Sequence, residues 1–283
     1  MFTDDLVTPR RLEIIVDVLR GFPKREWKKE LLYQVVQPDG LPEKTGQRQQ
    51  AKATIAAADE LGLIDEGTGG VVRLKGKTQR STREFVLEAI DREVLATTQI
   101  EPWFAPFYSY LLWQGEQAAK GLSRDAWAAA FNRDVLNDRP AKNQFNGTKY
   151  SGLLRWFSYA GLGWTDSLGI FQPNPYGRVA RGLPVVFAGD ARLTSDDFMS
   201  RIGAAYPELD GGTIFRQTNT NWTPEARFCS LGLSHALVDL HLDKVIELVG
   251  TVDSRGWSVA SAVPPGGDPF SRFDFVEYKG RTA

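Results

Sequence analysis

The sequence predicts an α+β fold, mostly helical, assembled from tandem units in which three helices are closed by a β-hairpin. Two observations carry the prediction. A polar, basic-headed helix that ends in a Leu-Gly-Leu corner and runs into a turn-rich hairpin spans residues 45–77, and the pattern recurs with drift over residues 143–172. A looser helix-then-hairpin passage follows over residues 224–260. The spacing of the copies is too irregular for a solenoid. The units read as residues 1–80, 121–182 and 183–283 with its C-terminal extension, and residues 81–120 form a helical aromatic connector between the first two.

In the first unit, Thr8-Pro9 is a cap followed by a first-turn proline, and Leu12, Ile15, Val16 and Leu19 fall on one apolar stripe. This predicts a helix from Pro9 to Arg20. Gly21 and Pro23 break it, and a second helix is expected over residues 24–36, burying Trp27, Leu31, Leu32 and Val35. The third runs from Thr45 to Leu61, with Ile55, Ala58 and Leu61 inward. Leu63-Ile64, a glycine-rich stretch and Val71 to Lys75 then read as two strands around a turn.

Residues 81–120 are helical and aromatic-rich. Trp103, Phe104, Phe107, Tyr108, Tyr110 and Trp113 read as a core joining two units, and a base-stacking platform is the alternative. Ser123 caps the next helix, with Trp127 and Phe131 inward. A helix over residues 142–160 then places Tyr150, Leu153, Leu154 and Phe157 on one face. Residues 183–188 read as a strand or a buried linker. In the third unit, Ser195 is an expected cap and Thr223-Pro224-Glu225 an expected helix start. Residues 245–249 and 257–259 form an expected hairpin, and Arg272 to Tyr278 an expected edge strand.

The chain has 283 residues, 42% of them hydrophobic and 24% charged, with 8 Trp and 16 Phe, which suits two or three globular units. No apolar run reaches the roughly 18 residues that span a bilayer, and the N-terminus has no h-region or cleavage site. A single cysteine, Cys229, excludes an internal disulfide, so a reducing cytoplasm is expected. The net charge of −1 conceals a gradient. Residues 1–80 carry 14 Lys and Arg against 12 Asp and Glu, whereas residues 191–283 carry 9 against 12. Nucleic-acid contact is therefore expected to be local and N-terminal.

Catalysis finds little footing. His235 and His241 are six residues apart and lie on different faces of a helix, and no metal-ligand spacing, phosphate-binding glycine loop or nucleophile elbow occurs. The adjacent carboxylates are explained by capping and solvation. No enzyme activity, cofactor or metal is expected.

Binding is better supplied. Lys44, Gln47, Arg48, Gln49 and Lys52 head the third helix, and Arg73 and Lys75 follow the hairpin turn. Gln reads adenine edges, Arg reads guanine, and Lys neutralises phosphate. Lys24, Arg25, Lys28 and Lys29 offer a second phosphate row. In the second unit, Lys142, Asn143, Asn146 and Lys149 form the equivalent face. The third unit, with its acidic surplus, is expected to bind protein.

Residues 45–77, and more weakly 143–172 and 224–260, resemble winged-helix domains. The cue is ATIAAADELGLIDEGTGGVVRL, a recognition-type helix passing through a Leu-Gly-Leu-Ile corner into a wing. The whole chain is also similar to the DpdG proteins of the bacterial deazapurine-in-DNA modification and restriction cluster. The winged-helix start and DKVIELVGTVDSRGWSVASA (residues 243–262) carry that similarity. The resemblance implies a non-enzymatic partner in a multi-protein phage-defence system. The expected function is thus an accessory subunit that contacts double-stranded DNA through its first unit and docks other protein subunits. An adaptor without DNA contact and a winged-helix transcription regulator dimerising through residues 81–115 stand as the alternatives.

Overall fold

The computed structural model describes residues 2–3, 6–38, 48–76, 80–115, 122–136, 144–250, 255–260 and 272–280. Thr8 begins helix α1 (Pro9–Gly21): its side chain accepts from the Arg11 N–H, and Leu12, Ile15, Val16 and Leu19 are buried. The expected second helix is shorter than its pattern. Trp27–Lys28 is a strand, β1, and α2 covers only Lys29–Val36. Trp27 pairs with Val72 and Lys28 with Val71, so a distant strand captures backbone that local periodicity assigns to a helix. Helix α3 (Gln49–Glu60) leads to β2 (Ile64–Glu66) and β3 (Val71–Leu74). The sheet order is β1-β3-β2, with the last strand in the middle.

Helix α4 (Thr82–Ile90) opens on a capping box between Ser81 and Glu84 and passes into a π-turn, Asp91–Leu95. Helix α5 (Phe104–Gln114) is buried along nearly its whole length. Phe107 packs against Phe131, Phe145 and Tyr150 at centroid distances of 5.1, 4.5 and 5.6 Å. The aromatic run is core, turned away from any stacking role. Helices α6 (Arg124–Asp134) and α7 (Gly147–Ala160) follow, capped by Ser123 and Asn146, and then the hairpin β4 (Gly163–Thr165) and β5 (Phe171–Pro173).

Residues 183–187, expected as a strand or linker, complete helix α8 (Tyr176–Phe187). Val179, Leu183 and Val186 are buried there at helical spacing despite Pro184. After β6 (Arg192–Thr194), Thr194 rather than Ser195 caps α9 (Ser195–Ala205), accepting from the Asp197 N–H. A short α10 (Thr213–Thr218) comes next. The helix expected to open at Thr223 does not: Pro224–Ala226 is a single 3-10 turn, and α11 (Leu231–Leu242) starts after Ser230. Buried Asp210 accepts from both the Ser230 N–H (2.6 Å) and its hydroxyl (2.7 Å), which seats Ser230 as the cap. Strands β7 (Ile246–Val249), β8 (Trp257–Ser258), β9 (Arg272–Phe273) and β10 (Phe275–Tyr278) close the chain. The expected hairpin of residues 245–249 with 257–259 is replaced: β7 pairs with β10, and β8 with β9. β10 is central, not an edge, in the order β6-β10-β7. Long-range partners choose among strands that look alike locally.

The Leu-Gly-Leu corner explains why the pattern repeats. Gly62 and Gly161 take left-handed φ values of 63° and 73° after α3 and α7. The next N–H then reaches back five residues, Leu63 to the Ala58 carbonyl and Leu162 to the Phe157 carbonyl, both at 2.9 Å. After α11 the left-handed residue is Lys244, at φ 58°, and Val245 bonds the Leu240 carbonyl at 3.0 Å. In all three places the carbonyl of that same residue accepts from the returning chain: Leu63 from Lys75, Leu162 from Asn174, Val245 from Lys279. Among the described residues no helix is long and apolar enough to cross a membrane.

Two outcomes follow for urea unfolding. Gly161→Ala is expected to lower stability by about 1–2 kcal/mol, the cost of a left-handed L-residue, whereas Lys244→Gly is expected to raise it by up to about 1 kcal/mol. Burial pushes the Asp210 carboxyl up from 3.8 to about 6. Its contribution to stability is therefore complete below pH 3.8 and lost as pH rises through about 6. Asp210→Asn should gain stability relative to the parent between those pH values and hold a constant difference above them.

Candidate nucleic-acid interface

The first unit presents its polar residues from α3 and β3. Arg48 stands at the start of α3 in a left-handed conformation, φ 49°, half-buried. Gln49 is exposed at the first helical position, and Lys52 is exposed one turn on. The outer face continues through Ala56 to Asp59 and Glu60. Its amino-terminal half is thus polar and cationic and its carboxy-terminal half acidic. The positive dipole end of α3 lies at the cationic half, where Gln37 Oε1 accepts from the Ala51 N–H at 3.2 Å.

Arg73 and Lys75, two residues apart on β3 and just beyond it, are both exposed. Lys75 Nζ and Arg92 Nη2 approach the position that a Gly62 Cβ would take, at 3.8 and 3.6 Å. Arg92, from the π-turn, is a cation that sequence reasoning missed, because nothing in its local pattern signals that the π-turn folds back onto the corner. The second phosphate row divides. Lys29 is ion-paired with Glu66 beside the hairpin turn, which raises the Lys29 ammonium and offsets the acidic charge there. Arg25 lies over the Trp27 ring, 4.3 Å from its centroid, while Lys24 and Lys28 are exposed. Phe22, 59% exposed, lines a shallow cleft of about 300 Å³ with Arg25, Trp27 and Arg73. Lys44 and Gln47 lie outside the described residues.

The second copy is built differently. Lys142 and Asn143 lie outside the described residues. Asn146 caps α7, its Oδ1 accepting from the Lys149 N–H at 3.0 Å. Lys149 donates to the Gln144 carbonyl (2.7 Å) and sits 5.2 Å from the Trp103 ring centroid; burial lowers its pKa, against the pull of Glu101. Both polar residues therefore also serve the local structure. In the third passage the equivalent helix is covered over most of its length, with Leu242 exposed at its carboxy-terminal end. On α11, Leu233, Ala236, Leu237 and Leu240 are buried, and a Cβ on Gly232 would meet Leu112 Cδ2 of α5 at 2.2 Å.

A buried ionic network ties these parts together. Arg178 bridges Glu208 (3.0 Å) and Asp91 (3.1 Å), and Arg181 also pairs with Asp91 (3.2 Å). Burial pushes the Glu208 carboxyl up, and Arg178 offsets part of that shift. Among the described residues no group of three or more His, Cys, Asp or Glu is placed to hold a metal ion.

A family model described as DpdG-like matches residues 3–254. No curated protein and no solved structure matches the chain.

Proposed function

The chain belongs to the DpdG-like family, and from that premise we propose that it is a non-catalytic, DNA-contacting subunit of the deazapurine modification and restriction cluster. In this reading the first unit is a winged helix, α3 is its recognition helix and β2–β3 its wing. The order helix, strand, helix, helix, strand, strand, with the last strand between the other two, supports the assignment. The third unit keeps the same strand order, β6-β10-β7, and is read as a winged helix whose recognition helix has become core.

The observation that carries the DNA contact is the exposure of Gln49 and Lys52 on the amino-terminal half of α3 and of Arg73 and Lys75 on and just after β3. The positive end of a helix dipole and flexible cations are suited to phosphates, and Gln49 is suited to a base edge. The carboxylates Asp59 and Glu60 at the far end of α3 favour an approach by the helix amino terminus. Asn146 and Lys149, with Lys142 and Asn143 before them in the chain, would add at most a secondary contact. The near-zero net charge fits a contact of few phosphates, strengthened by partner subunits.

Fluorescence anisotropy with a labelled duplex, titrated with salt, tests this. Binding should weaken steeply with salt, and the Lys52→Ala/Arg73→Ala double variant should lower the log–log salt slope by about 2, roughly one per lost phosphate contact. Its stability should change by no more than about 0.5 kcal/mol per site, as for other exposed substitutions. A chain that binds no duplex at low salt, or a variant that binds with undiminished affinity and slope, would refute the proposal.

A further inference from the structure

The β4–β5 hairpin differs in chemistry from the hairpin of the first unit. Where β3 carries Arg73 and is followed by Lys75, β4 exposes Trp164 (51%), and its turn exposes Leu168 (81%). Leu242, at the end of α11, is 58% exposed. Trp164 and Leu242 wall a cleft of about 490 Å³ over Gly161 and Gly177, rimmed by Asp239 and Asp243. Among the described residues, neither lysine nor arginine lines it. The Arg181 guanidinium behind the glycine floor is already paired with Asp91.

The two rim carboxylates are held in place. Asp239 Oδ2 accepts from Asn174 Nδ2, and Asp243 Oδ2 accepts from the Tyr176 hydroxyl, each at 2.7 Å. That orients the groups while leaving each Oδ1 for an incoming donor. Three features then favour a cation: two fixed carboxylates, the indole face of Trp164, and the negative end of α11. The exposed apolar side chains of Trp164 and Leu242 at the cleft are more than a small cation covers. Phosphate would be repelled.

We infer that this cleft docks a partner protein through a basic–aliphatic segment. An arginine or lysine stem lies along Trp164 and Leu242, its head reaches Asp239 and Asp243, and a neighbouring leucine or isoleucine covers the rest of the exposed apolar surface of those two side chains. The inference does not depend on DNA binding by the first unit.

A random peptide library displayed on phage and selected on the full chain provides the test. Selected peptides should share an Arg or Lys next to an aliphatic residue, and their affinity should fall with salt. Trp164→Ala should weaken them at least about tenfold, as for a buried aromatic anchor, and Asp243→Asn about threefold or more. Both side chains are on the surface, so unchanged melting temperatures would confirm that the variants are folded. Selection of acidic or neutral peptides, failure to select any, or equal affinity for Trp164→Ala would overturn the inference. So would a parent chain that dimerises and becomes monomeric on Trp164→Ala, which would seat a second copy there instead.

Discussion

The left-handed residue at the end of α3, α7 and α11 is the constraint on which the architecture depends. It folds the chain back so that the following N–H satisfies a helix carbonyl five residues earlier, and it points the next carbonyl at the returning strand. Helix end and sheet register are thereby set by the same residue. A slip of one position on the strand side would unpair the carbonyls of Leu63, Leu162 and Val245 and turn buried strand side chains outward. Glycine meets the conformational demand at two of the corners. Lys244 meets it at the third, so the geometry rather than the residue is what the three copies have in common.

The three corners differ in what covers them. α5 supplies aromatic rings to the core of α6 and α7 and a close-packed surface to α11, so the second and third sets of helices bury one another. The Arg178–Glu208–Asp91 network crosses the same junction. Such a network gains little net stability, because desolvation of its charges offsets their attraction, but removing one member would leave a buried charge uncompensated. It therefore favours one arrangement of the π-turn, α8 and the segment before α10 over looser alternatives. The outcome is a division of surfaces: an open cationic helix end in the first unit, an apolar and acidic cleft between the second hairpin and the end of α11, and a largely covered α11 before it.

Legibility followed the range of the interactions. α1 was readable because its cap, proline and apolar stripe are contiguous, and the Gly62 and Gly161 corners because glycine marks them. Trp27–Lys28 was not readable, since an amphipathic stretch beside a helix looks helical until Val71 and Val72 arrive to pair with it. Ser230 hid as a cap because the group that fixes it, Asp210, lies in a different segment. At the candidate interface, the exposure of Gln49, Lys52, Arg73 and Lys75 could be read from their positions. Arg92 could not, and neither could the pairing of Lys29 with Glu66, which only the fold of the sheet brings about.

Local spacing in the sequence was enough for the stripe of α1, the caps at Thr8 and Ser123, the first two hairpins and the charge gradient, because each arises from neighbours within a few residues. The long-range fold alone determined that β10 lies between β6 and β7, that most of α11 is covered while the start of α3 is open, and which cations are already paired. Those outcomes rest on backbone ladders and burial between distant segments, whose free energy exceeds local preference and leaves no mark in local spacing.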